Sequence, residues 1–301
     1  MELLSALPGA VAQGLIWGIM AIGVYITFKI LDIADLTVDG SICTGAAVCT
    51  VLVVFKGTPI WLALIIATLA GVAAGALTGA LHIFLGIPAI LSGILTQLVL
   101  WSVNLKIMGK ANVPISSRSY GVLVSQMDIP VAIGILAVCS LVLVVVLYLF
   151  FGTELGASIR ATGINAAMSR AQGINTDVTK LIGLALSNGI VAFSGALLCQ
   201  YQGYADINMG KGAVVIGLAA VVIGEAVISK LPPNFAIRLV GVIVGAIVYY
   251  IVYQIIIFLG LDTDLLKMFS AIVVAVFLGA PYVKRKIASG RIAQKGGNTN
   301  A

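Results

Sequence analysis

Long apolar runs alternate with short polar connections along this chain of 301 residues. A helix needs roughly 20 apolar residues to cross about 30 Å of hydrocarbon, and several runs reach that length. Because a spanning backbone must satisfy its own hydrogen bonds in lipid, each run is predicted to be a helix. The pattern therefore predicts an all-α, polytopic transmembrane bundle. Its nine or so segments lie at about positions 9–30, 40–55, 59–81, 88–107, 129–151, 181–199, 212–229, 236–258 and 265–283.

Composition agrees with a membrane protein. Mean hydropathy is +1.16 and charged residues make up 9% of the chain, against roughly 25% in soluble domains. The first run has only Glu2 before it and lacks a basic leader, so we expect a retained helix rather than a cleaved signal. We interpret residues 1–285 as one transmembrane permease domain and 286–301 as a basic, disordered tail.

Basic residues indicate the orientation. If the basic tail is cytoplasmic and all nine segments cross, the C-terminus lies inside and the N-terminus outside. That topology places 11 of the 17 lysines and arginines on the cytoplasmic side, although Lys106, Lys110 and Arg118 count against it. A polybasic segment after a membrane helix is typical of contact with anionic lipid, which accounts for the net charge of +6 without a nucleic-acid partner.

Segment spacing suggests an internal duplication. The centres of the first four runs recur after a shift of roughly 170 to 177 residues, with the second copy inverted, although chance spacing is an alternative. The second member of each half, near residues 35–52 and 208–227, is short and begins with polar and Gly-rich residues. These two segments are predicted to be broken helices beside a translocation pathway, or else ordinary helices preceded by surface turns.

Glycines recur at every fourth position in three of the apolar runs, a spacing that lets helix backbones approach closely in lipid. These motifs predict helix packing and carry no information about function. The glycines are Gly14 and Gly18, then Gly71, Gly75 and Gly79, and finally Gly241 and Gly245.

The stretch from Thr153 to Asn175 is the longest polar connection between apolar runs. Asn165 is a good N-cap for a helix of about two turns, and Gly173 is a good C-terminal stop. Asn175 can then cap the next membrane helix. A helix this short must dock on something: either a cytoplasmic partner protein or, with Arg160 and Arg170 directed at phosphates, the lipid headgroups.

The sequence "LGASIRATGINAAMSRAQGINTDVTKLIGLALSNGIVAFSGAL" closely resembles the coupling loop and following helix of ABC importer permeases of the ribose and branched-chain amino acid type. Similarity extends over most of the chain, including "IADLTVDGSICTGAA" and "GLAAVVIGEAVIS". In that family the loop inserts into a groove of the ATP-binding subunit. The resemblance implies a coupling role for Gly156, Arg160, Ala161, Gly163, Asn165, Ala166, Ala167, Met168, Arg170 and Gly173 within a cytoplasmic loop at 152–180.

The resemblance also implies partners: a separate ATPase subunit, an extracellular substrate-binding protein and a second permease copy. A homodimer is expected from the ribose-type systems, with a heterodimer as the alternative. The chain lacks a phosphate-binding loop, so ATP and Mg are expected on the partner ATPase and no cofactor on this chain. Neither a catalytic set nor a metal-binding cluster is apparent, and the chain is not expected to be an enzyme.

Two acidic residues depart from the family pattern: Asp39 precedes Gly40, and Glu225 stands where small residues are common. A carboxylate at membrane depth is costly unless it is paired or hydrated. Both are candidates for the pathway, although pairing with Lys29, Lys230 or Arg160 is an equal alternative. The candidate pathway residues are Asp35, Thr37, Asp39, Gln97, Asn188 and Glu225.

We expect the substrate to be a small solute, with an aromatic or branched-chain amino acid first and a sugar or nucleoside second. A secondary transporter or channel driven by an ion gradient is the rival from another class, because such proteins also contain inverted repeats and broken helices. An ABC permease needs an ATPase for uptake, whereas a transporter or channel driven by an ion gradient does not.

Overall fold

The computed structural model describes residues 2–117, 120–229 and 234–258, together with helical residues at 268, 272, 275, 276 and 279. The helices are α1 Glu2–Tyr25, α2 Val38–Lys56, α3 Ile60–Phe84, α4 Ala89–Met108, α5 Ile129–Gly152, α6 Glu154–Ile164, α7 Ala166–Ala171, α8 Thr176–Gln202, α9 Ala213–Ile228 and α10 Phe235–Phe258. A π-helical turn, Ile26–Ile30, continues α1, and two strands, β1 Asn112–Pro114 and β2 Tyr204–Asp206, pair antiparallel.

Seven of the described helices are long and apolar enough to cross a membrane. Eight of the nine segments predicted from the sequence correspond to α1 to α5 and α8 to α10, which confirms the polytopic helical bundle. The last segment, at 265–283, and the basic tail lie outside the described residues apart from the five isolated helical positions. Helix α9 is apolar but too short to cross the membrane alone, because its 16 residues rise only about 24 Å against about 30 Å of hydrocarbon.

Helix α8 forms the centre of the bundle and packs against α1, α2 and α3. Close approach to α3 depends on glycine: a side chain added at Gly71 would meet Ala192 and the Asn188 carbonyl, and one at Gly75 would meet the Leu184 carbonyl. The other two glycine motifs likewise lie at interfaces of α10, with α1 and with α9. All three motifs therefore serve helix packing, as the spacing predicts.

The two halves of the bundle pack in matching ways. Helix α3 lies mainly on α8, and its counterpart α10 lies on both α1 and α9. Residues 31–37, between the π-helical turn and α2, are not helical. Residues 207–212, between β2 and α9, are not helical either. Each half therefore has a non-helical segment before its second helix, at the positions where the sequence places polar and Gly-rich residues.

The two broken segments enter from opposite ends of the bundle. We call these the knob end, where α6 and α7 lie, and the strand end, where β1 and β2 lie. Leu31 packs on Gly183 in the knob-end half of α8, and Asp35 reaches Asn188 near the middle of that helix. From the strand end, the second segment reaches Gly210, which packs on the Asp39 carbonyl. The N-termini of α2 and α9 consequently lie next to each other.

Substituting Gly75 with leucine is expected to destabilise the protein, because the new side chain would collide with the Leu184 backbone. Overpacking of this kind costs about 1–3 kcal/mol or more. The measurement is the thermal unfolding midpoint of detergent-purified protein. Gly134→Leu on α5 is the matched control, since nothing lies within 4 Å of a Cβ there. Equal midpoints for the two variants would contradict the proposed α3–α8 packing.

Candidate functional site: the broken helices and the polar knob

Asp39 joins the two broken segments. It lies in the first turn of α2, and its carboxylate accepts hydrogen bonds from the N–H groups of Gly212 and Val214, each at 3.0 Å. Those groups form the N-terminus of α9, whose first turn has no helical partner for its N–H groups. A carboxylate there also interacts favourably with the helix dipole. Asp39 is therefore the N-terminal cap of α9, although the Gly212 N–H that it accepts lies 173 residues later in the chain.

Asp35 and Asn188 form an enclosed polar network beside this junction. The Asn188 amide donates to Asp35 at 2.7 Å and accepts from the Ser41 hydroxyl at 2.6 Å. The second Asp35 oxygen accepts from the Thr37 N–H at 2.8 Å. These side chains are all buried. The network thus satisfies the N–H of Thr37 and fixes residues 35–37 to the middle of α8.

Thr37 extends the network to α3, where its hydroxyl lies 2.7 Å from that of Thr78. Three of the candidate pathway residues, Asp35, Thr37 and Asn188, therefore lie inside the protein in mutual hydrogen bonds. The other three lie elsewhere, at a cavity and at the knob end of the bundle.

Glu225 lies towards the C-terminal end of α9 and forms an ion pair with Lys29 of the π-helical turn at 2.9 Å. Both side chains are 41% exposed. Of the basic residues considered from the sequence, Lys29 is the observed partner of Glu225. The Arg160 guanidinium is more than 4 Å from the Glu225 carboxylate. Lys230 is outside the described residues. The pair links α9 to the end of α1.

Asp39 and Gln97 line a cavity of about 260 Å³ between α2, α4 and the start of α9. The sequence predicts both residues, but not Trp101 and Lys211, which also line it. Spacing could have indicated Trp101, because it follows Gln97 by four positions on α4. We call this space the Asp39 cavity; its remaining lining residues are Gly40, Cys43, Leu98, Asn104 and Ile207.

The polar connection folds as two short helices, α6 and α7, which we call the knob. Asn165 caps α7 as predicted, accepting from the Met168 N–H at 3.0 Å, and Gly173 adopts a φ of +84° just after the helix. Asn175 caps α8 by accepting from Asp177 and Val178. Helix α6 was not predicted. Its signal was Thr153, which accepts from the Gly156 N–H as an N-cap.

The knob is held firmly to the bundle. Gly156 packs on the backbone of Phe151 at the end of α5, and Gly163 packs on the carbonyl of Ile30 in the π-helical turn. Thr162 on α6 and Thr179 on α8 share a hydrogen bond of 2.9 Å. Displacement of the knob would therefore move α8 and the start of the first broken segment with it.

The outer surface of the knob is apolar with basic edges. Ile164 is 86% exposed and Met168 is 59% exposed, while Ala167 beside them is also exposed. Arg160 and Arg170 are exposed as well. We call Ile164, Ala167 and Met168 the knob surface. The structure thus presents part of the predicted coupling set outward, while Gly156 and Gly163 serve attachment.

The chain is similar in sequence to transport permeases. A family model described as "Branched-chain amino acid transport system / permease component" matches residues 7–280. A tyrosine transport system permease protein of Clostridioides difficile is 38% identical over 275 residues, covering 91% of each chain. An uncharacterized protein of Rickettsia prowazekii is 34% identical over 280 residues, covering 92% of this chain and 97% of the relative.

A fructose import permease protein of Bifidobacterium longum is more distant, at 28% identity over 248 residues, with 80% of this chain and 68% of the relative covered. No solved structure gives a significant match. With the family model spanning nearly the whole chain, the protein belongs to the branched-chain amino acid transport system permease family and is a membrane-spanning permease subunit of the ABC type.

Proposed function

We propose that this permease forms the translocation pathway of an ATP-driven importer and carries an amino acid that an extracellular binding protein delivers. The observation that supports this most directly is the exposed knob surface on a pair of helices bound rigidly to the broken-helix core. A large apolar side chain that is 86% exposed, such as Ile164, is stabilised when a partner covers it. The partner would be the ATPase subunit, which holds ATP and Mg.

The contacts of the knob provide a route for coupling. ATPase movement would displace the knob, and the contact of Gly163 with Ile30 would pass that displacement to the π-helical turn. That turn leads directly into residues 31–37, and its Lys29 is paired with Glu225 on α9. A displacement of the knob would thus move both broken segments together. A switch between outward and inward access requires such a joint movement.

Orientation follows from the proposal. If the knob meets an ATPase, the knob end of the bundle is cytoplasmic. The end of α1 touches the knob through Ile30, so the start of α1 lies at the opposite, extracellular end. The basic C-terminal tail would then be cytoplasmic beside anionic lipid, and the strand end would face the binding protein.

The pathway needs a second copy of the chain. The Asp39 cavity is open on the side of α4, where Leu98 and Trp101 are 63% and 46% exposed. A second permease placed against this face would enclose the cavity, and two knobs would then present themselves to two ATPases. We propose a homodimer, because two copies of this one chain would supply both sides of the pathway.

The substrate class is inferred from relatives. The tyrosine-transport relative is the more similar over most of both chains, which favours an amino acid, with aromatic or branched side chains first. The fructose permease, at 28% identity, supports a sugar as the second candidate.

Replacing both Ile164 and Met168 with glutamate is expected to abolish association with the ATPase, because two charges would be placed in an apolar contact. We expect at least about tenfold weaker association. The measurement is co-purification of the co-expressed complex, with chromatography of the permease alone as the test of folding. Met168→Leu is the control and should leave the complex intact. A stable complex containing the double glutamate variant would contradict the docking surface.

Asn165→Ala is expected to reduce ATP-driven uptake, because removing an N-cap costs a short helix about 1 kcal/mol and loosens α7. Asn165→Asp retains an oxygen for the Met168 N–H and should restore uptake. Transport is measured in proteoliposomes with equal amounts of permease. Uptake by the alanine variant at the native rate would show that a rigid α7 is not required.

A further inference from the structure

We infer that the Asp39 cavity binds the α-ammonium and α-carboxylate groups of an amino acid as it passes through the membrane. This inference rests on the proposed import function and assigns the place in the chain at which the amino acid is held. It depends on an unpartnered amide, on two opposite charges and on the helix termini that meet at the cavity.

Asn104 is the first observation. Its side chain is 1% exposed and lines the cavity, yet neither its oxygen nor its nitrogen has a hydrogen-bond partner among the described residues. An unpartnered buried polar group costs about 1–3 kcal/mol. A ligand that both donates and accepts hydrogen bonds, as an amino acid does, would satisfy both atoms of the amide.

Charge is the second observation. Asp39 and Lys211 line the same cavity, but they do not form an ion pair within 4 Å, and Lys211 pairs with no other described acidic residue. Asp39 uses one acceptor site on each oxygen to cap α9, and an ionised carboxylate has about four. One acidic and one basic group in a single cavity match the two charged ends of a zwitterion. A neutral sugar would offer no opposite charge to either group.

The helix termini are the third observation. The cavity includes Gly40 in the first turn of α2 and lies next to Gly212, where α9 begins. Helix N-termini carry partial positive charge, which favours a carboxylate nearby, as at other broken helices in transporters. Lys211 adds a full positive charge to the lining of the same cavity. We therefore assign the ligand carboxylate to Lys211 and the ligand ammonium to Asp39.

The remaining wall suits an apolar or aromatic side chain. Leu98, Trp101 and Ile207 provide carbon surface in the wall of the same cavity. The volume of about 260 Å³ corresponds to about eight to nine water molecules. That space accommodates one amino acid with a side chain of moderate size.

The test is ligand-observed NMR on the full-length chain in detergent, because saturation transfer detects weak binding. The probes are L-tyrosine, tyramine, which lacks the carboxylate, and 3-(4-hydroxyphenyl)propionate, which lacks the ammonium. L-Tyrosine should bind most tightly. Lys211→Met should weaken L-tyrosine about tenfold and leave tyramine unchanged. Asn104→Leu, which keeps the branched shape and the number of heavy atoms but removes the amide, should weaken all three.

Lys110→Met is the matched control, because Lys110 is near the end of α4 but does not line the cavity. It should leave every titration unchanged. Native L-tyrosine binding in both the Lys211→Met and the Asn104→Leu variants would overturn the inference, and so would an equal loss in the Lys110→Met variant.

Uptake by the complete transporter separates this inference from the proposed function. If L-tyrosine uptake requires ATP but L-tyrosine binding is unchanged in the Lys211→Met and Asn104→Leu variants, the cavity assignment is overturned and the import function stands. Binding that depends on both residues without ATP-driven uptake of L-tyrosine would support the cavity assignment and overturn the import function.

Discussion

Peptide groups freed by a broken helix inside a membrane must find hydrogen-bond partners within the protein, and this constraint organises the whole bundle. Each group left unsatisfied costs several kcal/mol. Asp39 meets the requirement for two N–H groups at the start of α9, and Asp35, held by Asn188, meets it for the N–H of Thr37. Because Asp39 belongs to α2 and the groups it serves belong to α9, the two halves of the chain cannot form their central junction independently.

The same junction connects structure to transport. Two helix N-termini, one carboxylate and a lysine line the Asp39 cavity. Ile30, just before the first broken segment, contacts the knob, and Glu225 near the C-terminal end of α9 pairs with Lys29 beside it. The buried glycines that fix α3 on α8 make this framework stiff, since their neighbours leave no room for side chains. Because α3 and α8 are held together in this way, a displacement of the knob that moves α8 would act on the two non-helical segments.

Local signals made much of this structure predictable. Apolar run lengths gave eight helices to within a few residues, except at α1 and α8, which begin about seven and five residues earlier. Asn165 and Asn175 cap their helices as their side chains imply. Helix α6 escaped prediction because its alternation of small and polar residues resembles a loop, and packing of Gly156 and Gly163 supplies its stability.

Contacts between distant parts of the chain were beyond such signals. The cap that Asp39 provides spans 173 residues, and Lys211 joins Trp101 at one cavity only because α9 begins beside α4. The sequence identified Asp39 as unusual but could not distinguish a cap from a pathway residue, since a carboxylate at membrane depth suits either. The structure shows the cap and also places the same residue at the cavity.

The central claim is that the two facing broken helices carry solute under the control of a separate ATPase. Uptake of labelled L-tyrosine into proteoliposomes containing the permease, its ATPase and its binding protein tests this most directly. The account predicts uptake that requires ATP and the ATPase and that persists when ionophores abolish the proton and sodium gradients. Uptake that continues without the ATPase and stops with those gradients would contradict it.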